Sequence, residues 1–189
     1  MRAFVAIEVS QEIKDILGRV ESHLKYSGAD VKWVKPDNIH LTLKFLGEIS
    51  TEKAEEIKFR IDSVAASFKA FDLGIKDIGA FPKIDSPRVI WAGLDKGAAD
   101  TAALAGQIDE SLSRIGFAKD QRPFSPHLTI GRVRSPLNKA KLSEKISSTA
   151  VNFQLSSVIP HRVSSVILFR STLTPQGSVY TRLHESPLA

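Results

Sequence analysis

Phe4-Val5-Ala6-Ile7 is a short apolar run with β-branched members and predicts a first strand. Ser10 then precedes Ile13, Leu17, Val20 and Leu24, spaced three and four apart. That spacing predicts an amphipathic helix over 11–25, with Ser10 as its N-cap and the Ser27-Gly28 break after it. Ile39, Leu41, Leu43 and Phe45 alternate with His40, Thr42 and Lys44, the period-two pattern of a half-buried strand. Gly47 ends that strand, and Ser50 or Thr51 opens a second helix through Ala54, Ile57, Ile61 and Val64. Two strand-like runs follow, Phe71–Phe81 and Arg88–Leu94, joined through Pro82, Asp85 and Pro87.

From Ala98 the pattern starts again. Leu104, Ile108, Leu112 and Ile115 make a helical stripe closed by Gly116. A strand over His127–Val133, a short helix near 138–147, and strands near 151–158, 163–171 and 178–183 complete the chain. The order of elements is not the regular alternation of a parallel α/β sheet, so the fold class is α+β, duplicated. No Pro- or Ser-rich linker separates the halves, which predicts one domain over 1–189 built from two closely packed lobes.

The 189 residues are enough to bury a proper core, and their 25% charged content is that of a globular chain. Zero cysteine removes disulfides, thiolate nucleophiles, zinc ribbons and iron–sulfur clusters. Apolar runs of only a few residues fall far short of a membrane span, which makes a soluble, cytoplasmic protein the default. Charge is unevenly placed: residues 1–95 carry 14 basic and 15 acidic side chains, residues 96–189 carry 12 and 6. A basic second half suits a phosphate-rich ligand, and equally a solvated surface of high pI.

His40-Leu41-Thr42 and His127-Leu128-Thr129 are the same tripeptide, once in each half and each inside an apolar frame. With 8 threonines among 189 residues, two of five histidines would have Thr two positions on in about 2% of random arrangements. Coincidence is disfavoured. On a strand, i and i+2 share a face. His40 therefore projects with Thr42 and His127 with Thr129, and if a pseudo-two-fold axis relates the lobes, both pairs can face one cleft. Two imidazoles and two hydroxyls suit a tetrahedral anion, the threonines donating to non-bridging oxygens and the histidines moving protons. Phosphodiester cleavage needs a base for the attacking oxygen and an acid for the leaving one, which two opposed histidines supply without a metal. Zinc fits poorly, since H-x-H and H-x-x-x-H spacings are absent and Thr is a weak ligand. Dinucleotide, Walker and nucleophile-elbow motifs are missing too.

The stretches VKWVKPDNIHLTLKFLGEI (31–49) and RPFSPHLTIGRVR (122–134) resemble the paired signatures of the 2H phosphoesterases. MRAFVAIEV at the start and FPKIDSPRVIWAGL (81–94) look like the RNA 2′,3′-cyclic phosphodiesterase group, historically called 2′-5′ RNA ligases. The likeness runs from Arg2 to the GSVYTRL segment at 177–183. It implies a bilobal, pseudo-two-fold α+β fold, two antiparallel sheets lining a central groove with helices outside. It implies His40 as proton donor to the leaving oxygen, His127 as proton acceptor from the nucleophile, and Thr42 and Thr129 on the phosphate. Hydrolysis of RNA 2′,3′-cyclic phosphate ends to 2′-phosphomonoesters is the implied activity, with reversible ATP-independent 2′-5′ ligation beside it. No metal or cofactor is implied; the expected partner is RNA with a cyclic phosphate end, tRNA fragments included, met by a monomer.

Other residues are weighed singly. Lys44 shares the His40 face in a regular strand, as a phosphate contact or an exposed edge lysine. Arg132 falls opposite His127 by parity and reaches the cleft only through a bulge, which Gly131 permits. Arg122 and Phe124 are candidates to clamp a phosphate and stack a base. Trp33, Phe81 and Trp91 read as core or groove wall, and His23, His161 and His184 as surface. A non-catalytic RNA-binding module is the competing function, and 2′-5′ oligonucleotides or a cyclic nucleotide metabolite are competing substrates.

Overall fold

Helix caps fall where the sequence puts them. In the computed structural model, which describes residues 1–153, 160–175 and 177–189, the Ser10 hydroxyl accepts from the Ile13 amide at 3.4 Å and the Ser50 hydroxyl from Lys53 at 3.1 Å. The helices they open, α1 (Gln11–Lys25) and α2 (Thr51–Ala65), bury the expected stripes, Ile13/Leu17/Val20/Leu24 and Ala54/Ile57/Ile61/Val64. α3 (Ala98–Ser113) buries Leu104, Ile108 and Leu112. α4 runs over Lys139–Phe153, past the predicted end at 147, so the first residues of the strand expected at 151–158 are helical. The rest of that strand lies outside the described residues.

The strands are β1 (Arg2–Glu8), β2 (Val31–Trp33), β3 (His40–Glu48), β4 (Phe71–Leu73), β5 (Ile75–Lys83), β6 (Ser86–Leu94), β7 (His127–Val133), β8 (His161–Val163), β9 (Ser165–Thr174) and β10 (Gly177–Pro187). The run predicted as one strand from Phe71 to Phe81 is two strands, β4 and β5, that break at Gly74. β2 and β8, of three residues each, are not separate elements in the sequence pattern, because three residues carry too little periodicity.

Eight strands form one antiparallel sheet in the order β10-β9-β1-β3-β7-β6-β5, with β2 paired to β7, while β4 and β8 form a small second sheet. The large sheet is two half-sheets joined between β3 and β7 by the single register pair Leu41–Leu128 among the described residues. The halves of the chain exchange strands. β9 and β10 flank the first-motif side through β1, and β5 and β6 flank β7 on the other. One face of the sheet packs its Val5, Ile7, Leu41, Leu128, Ile130 and Ile90 side chains with the helices into the main core. The opposite face carries a smaller cluster, Phe4, Ala6, Ile167 and Phe169 with Tyr180 against it. That face bears both His-Leu-Thr motifs. No helix among the described residues is long and apolar enough to cross a membrane.

Candidate active site

The Leu41–Leu128 pair fixes the arrangement of the four polar residues. Both leucines are fully buried on the helix side, so His40, Thr42, His127 and Thr129 all project from the other face, each half-buried. Antiparallel pairing at that point sets His40 opposite Thr129 and Thr42 opposite His127, one residue to either side. The four side chains therefore stand at the corners of a quadrilateral, with histidines on one diagonal and threonines on the other.

The two imidazoles are held alike. Nδ1 of His40 lies 2.7 Å from the Asn38 carbonyl oxygen, and Nδ1 of His127 lies 2.7 Å from that of Ser125. A carbonyl only accepts, so Nδ1 carries the hydrogen in both rings, and Nε2 is the atom left to take or give a proton. The Asn38 side-chain amide donates to the Ser178 carbonyl at 2.8 Å, which ties the turn before His40 to β10.

Each ring has an aromatic wall. His40 stacks on Phe4 at 4.7 Å and meets Tyr180 edge-on at 5.2 Å. His127 meets Phe81 edge-on at 5.2 Å, and Phe81 lies 5.2 Å from Trp91. The Trp91 ring lies so close over Gly79 that a Cβ there would come within 2.4 Å of it, so glycine makes the wall flat. Burial pushes the His40 imidazole below the ordinary histidine value. Its bond to the Asn38 carbonyl opposes the shift, Lys14 adds to it, and Glu8, its register partner on β1, also opposes it.

Bulges decide where the remaining candidates go. Three residues after each histidine the register slips: Leu43 is the extra residue between the Ala6–Thr42 and Val5–Lys44 pairs, and Ile130 between Trp91–Thr129 and Ile90–Gly131. The slip reverses parity beyond it. Lys44 turns into the helix layer, only 4% exposed, where it pairs with Asp109, donates to the Ala118 carbonyl at 2.7 Å and stands 3.2 Å from Asp120. The expectation of a cleft-facing Lys44 fails for that reason. Phe45 takes its place on the open face, 68% exposed beside Phe4. In the second motif the same slip brings Arg132 onto the His127 face, exposed.

Arg122 is exposed and Phe124 packs against the main core, so these two are not brought together as a clamp and a free stacking surface. Trp33 packs against the main core as well. His184 binds Asp62 at 2.7 Å, and His161 is half-buried with its pKa lowered by that burial. His23 is half-buried in the last turn of α1. None of the three is the plain surface residue that the sequence suggested. Sequence reasoning missed Phe4, Phe45 and Tyr180; their positions depend on strand pairing and bulges that no local pattern encodes. Among the described residues, no three or more His, Cys, Asp or Glu side chains cluster as a metal site.

Comparison with known proteins places the chain in a family. The model of the LigT-like phosphoesterases matches residues 7–91 and again residues 93–180, one motif in each match. The RNA 2′,3′-cyclic phosphodiesterase of Methanocaldococcus jannaschii is 36% identical over 186 residues, 98% of this chain and 99% of the relative. That of Methanothermobacter thermautotrophicus is 35% identical over 181 residues, covering 96% and 95%. Among solved structures, TT0787 of Thermus thermophilus superposes with a TM-score of 0.79 at 26% identity, covering 100% of this chain and 98% of its own. Escherichia coli LigT complexed with 3′-AMP gives 0.75 at 25% identity, covering 99% and 97%.

Proposed function

The chain belongs to the LigT-like phosphoesterase family, and on that premise we propose that it hydrolyses RNA 2′,3′-cyclic phosphate ends to 2′-phosphomonoesters. The observation that carries this reading is the diagonal pair of histidines, each with Nδ1 donating to a backbone carbonyl, which leaves Nε2 to move a proton. In-line displacement at phosphorus needs a base on one side and an acid on the other, and a diagonal supplies both.

His127 Nε2 takes a proton from water as the water oxygen bonds to phosphorus. The bond from phosphorus to the 3′ oxygen breaks, and His40 Nε2 gives that oxygen its proton. One proton has entered and one has left, so exchange between the histidines and solvent restores the starting state. Thr42 and Thr129, on the other diagonal, donate to the non-bridging oxygens, whose charge grows as the new bond forms. Anionic phosphate against His40 favours its protonated form and offsets the downward push of burial.

The proposal includes metal-independent turnover, a monomer acting in the cytoplasm, and RNA ends, those of tRNA fragments among them, as substrate. A ribose 5′-hydroxyl bound in place of water would attack with His127 as base and leave a 2′-5′ linkage without ATP. The test incubates the protein with an RNA ending in a 2′,3′-cyclic phosphate and resolves the terminal products. The expected product is the 2′-phosphate. No opening, or exclusive formation of a 3′-phosphate, would overturn the proposal.

A further inference from the structure

Glu8 on β1 is the register partner of His40 on β3. Ile7, between Ala6 and Glu8, packs into the main core, so Glu8 turns to the opposite face, the one that bears His40. The Cβ atoms of directly opposed residues stand about 4.5–5.5 Å apart, which sets a carboxylate beside the ring assigned as proton donor. The Glu8 backbone is held by a hydrogen bond with His161. On its other side the Glu8 carboxylate is taken by Arg182 of β10, which reaches past β9. Arg182 also stands 3.5 Å from Glu185, and Glu185 accepts from the Ser165 hydroxyl at 2.7 Å. When His40 is protonated, His40, Glu8, Arg182 and Glu185 make a row of alternating charge across the end of the sheet.

Each group around His40 bears on whether the ring holds a proton. Burial among Phe4, Phe169 and Tyr180 opposes the charged ring, and Lys14 from α1 adds to that opposition. His127, the titratable group on β7, stands on the diagonal. The Asn38 carbonyl and the Glu8 carboxylate favour the charged ring. Glu8 is the one full negative charge in this set, and the Arg182 guanidinium cancels part of its field. Resting on the proposed activity, we propose that Glu8 is a positioning residue that keeps the donor proton on His40, and that Arg182 sets how strongly it does so. Glu8 acts through its charge, since Nδ1 of His40 is already bonded to the Asn38 carbonyl and Nε2 is left for the departing oxygen.

The test has two readouts. The first needs no turnover: the His40 Cε1 proton, assigned among the five histidines by its loss in His40→Ala, is titrated by NMR in the free protein. In Glu8→Gln it titrates at lower pH than in the parent protein, and in Arg182→Gln at higher pH. Glu8→Asp returns it toward the parent value. The second readout is kcat/KM on an RNA ending in a 2′,3′-cyclic phosphate. The ratio of Glu8→Gln to parent falls about twofold from acid to alkaline pH, and that of Arg182→Gln rises by about the same factor. Either variant breaks the same contact, so loosening of the sheet would not give opposite signs. A titration that stays put, or moves the same way in both variants, overturns the proposal. An active protein whose rate profile ignores opposite NMR shifts overturns the part of Glu8 in the reaction. Opposite NMR shifts in a protein that opens no cyclic phosphate support the charge pair and overturn the proposed activity instead.

Discussion

Leu41 and Leu128, the middle residues of the two His-Leu-Thr motifs, face each other as the register pair that joins the half-sheets, and both are fully buried. A structural contact and the separation of the two histidines are thus the same geometry. The leucines hold the half-sheets together on the helix side, and on the other side the same backbone spacing sets the separation of the histidines.

Leu41→Ala and Leu128→Ala should each destabilise the fold by about 2–4 kcal/mol, as truncation of a buried leucine does. Because they touch across one joint, the double variant should fall short of the sum. Urea unfolding of the four proteins in a mutant cycle checks this. Strict additivity would mean that the pair does not act as a joint.

His40→Ala and His127→Ala should each lower turnover on a cyclic-phosphate RNA end about 10²-fold or more, the usual loss for a positioned acid or base. The double variant should be little worse than the poorer single one, since the two act as a unit. Thr42→Ala and Thr129→Ala each lose a charge-assisted hydrogen bond of about 1.5–3 kcal/mol, a milder defect. Near-normal turnover in either histidine variant would end the two-histidine mechanism.

Lys44→Met should destabilise the protein by about 3 kcal/mol, because Asp109 loses the buried cation that neutralises it. The loss should centre on residues 117–126, since Lys44 also holds the Ala118 carbonyl and Asp120. Hydrogen exchange should show those amides opening before the β1–β3 ladder does. Unchanged exchange there would mean that the ion cluster does not anchor the segment leading to His127.

Lys44 also marks the limit of what the sequence reveals. The helices, most long strands and the two motifs are legible because each rests on a local period of apolar residues and a nearby cap. Parity predicts His40 with Thr42 and His127 with Thr129, and the faces agree. Two residues later parity fails, because Leu43 and Ile130 are extra residues in their ladders. A bulge is a relation between two strands and leaves no mark in one. Lys44 is therefore misread as sharing the His40 face, and Arg132 reaches the cleft side only through the bulge that strict parity leaves out. The exchange of strands between the halves is hidden for the same reason.

EDTA treatment followed by desalting should leave the cyclic phosphodiesterase activity intact, because the proposed acid and base are both imidazoles. Activity that returned only with added Zn²⁺ or Mn²⁺ would show that a metal supplies the base or the Lewis acid.

The sign of the pH dependence separates the roles of the two histidines. In the proposed reaction His40 gives a proton and His127 takes one, so the intact protein should show a bell-shaped profile whose apparent limbs belong to the pair. Removing one partner isolates the other. In His127→Ala the remaining proton donor is His40, whose pKa burial pushes below the ordinary value of about 6.5. Its protonated fraction falls as pH rises through that lowered value, so the residual kcat/KM should fall with rising pH, beginning on the acid side of 6.5. Once substrate is bound, the phosphate charge raises the pKa of His40, and the decline in kcat should move to higher pH. In His40→Ala the donor is gone, and the residual activity should lack this fall with rising pH. A substrate with a better leaving group than a ribose oxygen should rescue His40→Ala and not His127→Ala, since only the departing oxygen needs the acid. Residual activity of His127→Ala that rises with pH, or rescue of that variant by the better leaving group, would exchange the two roles.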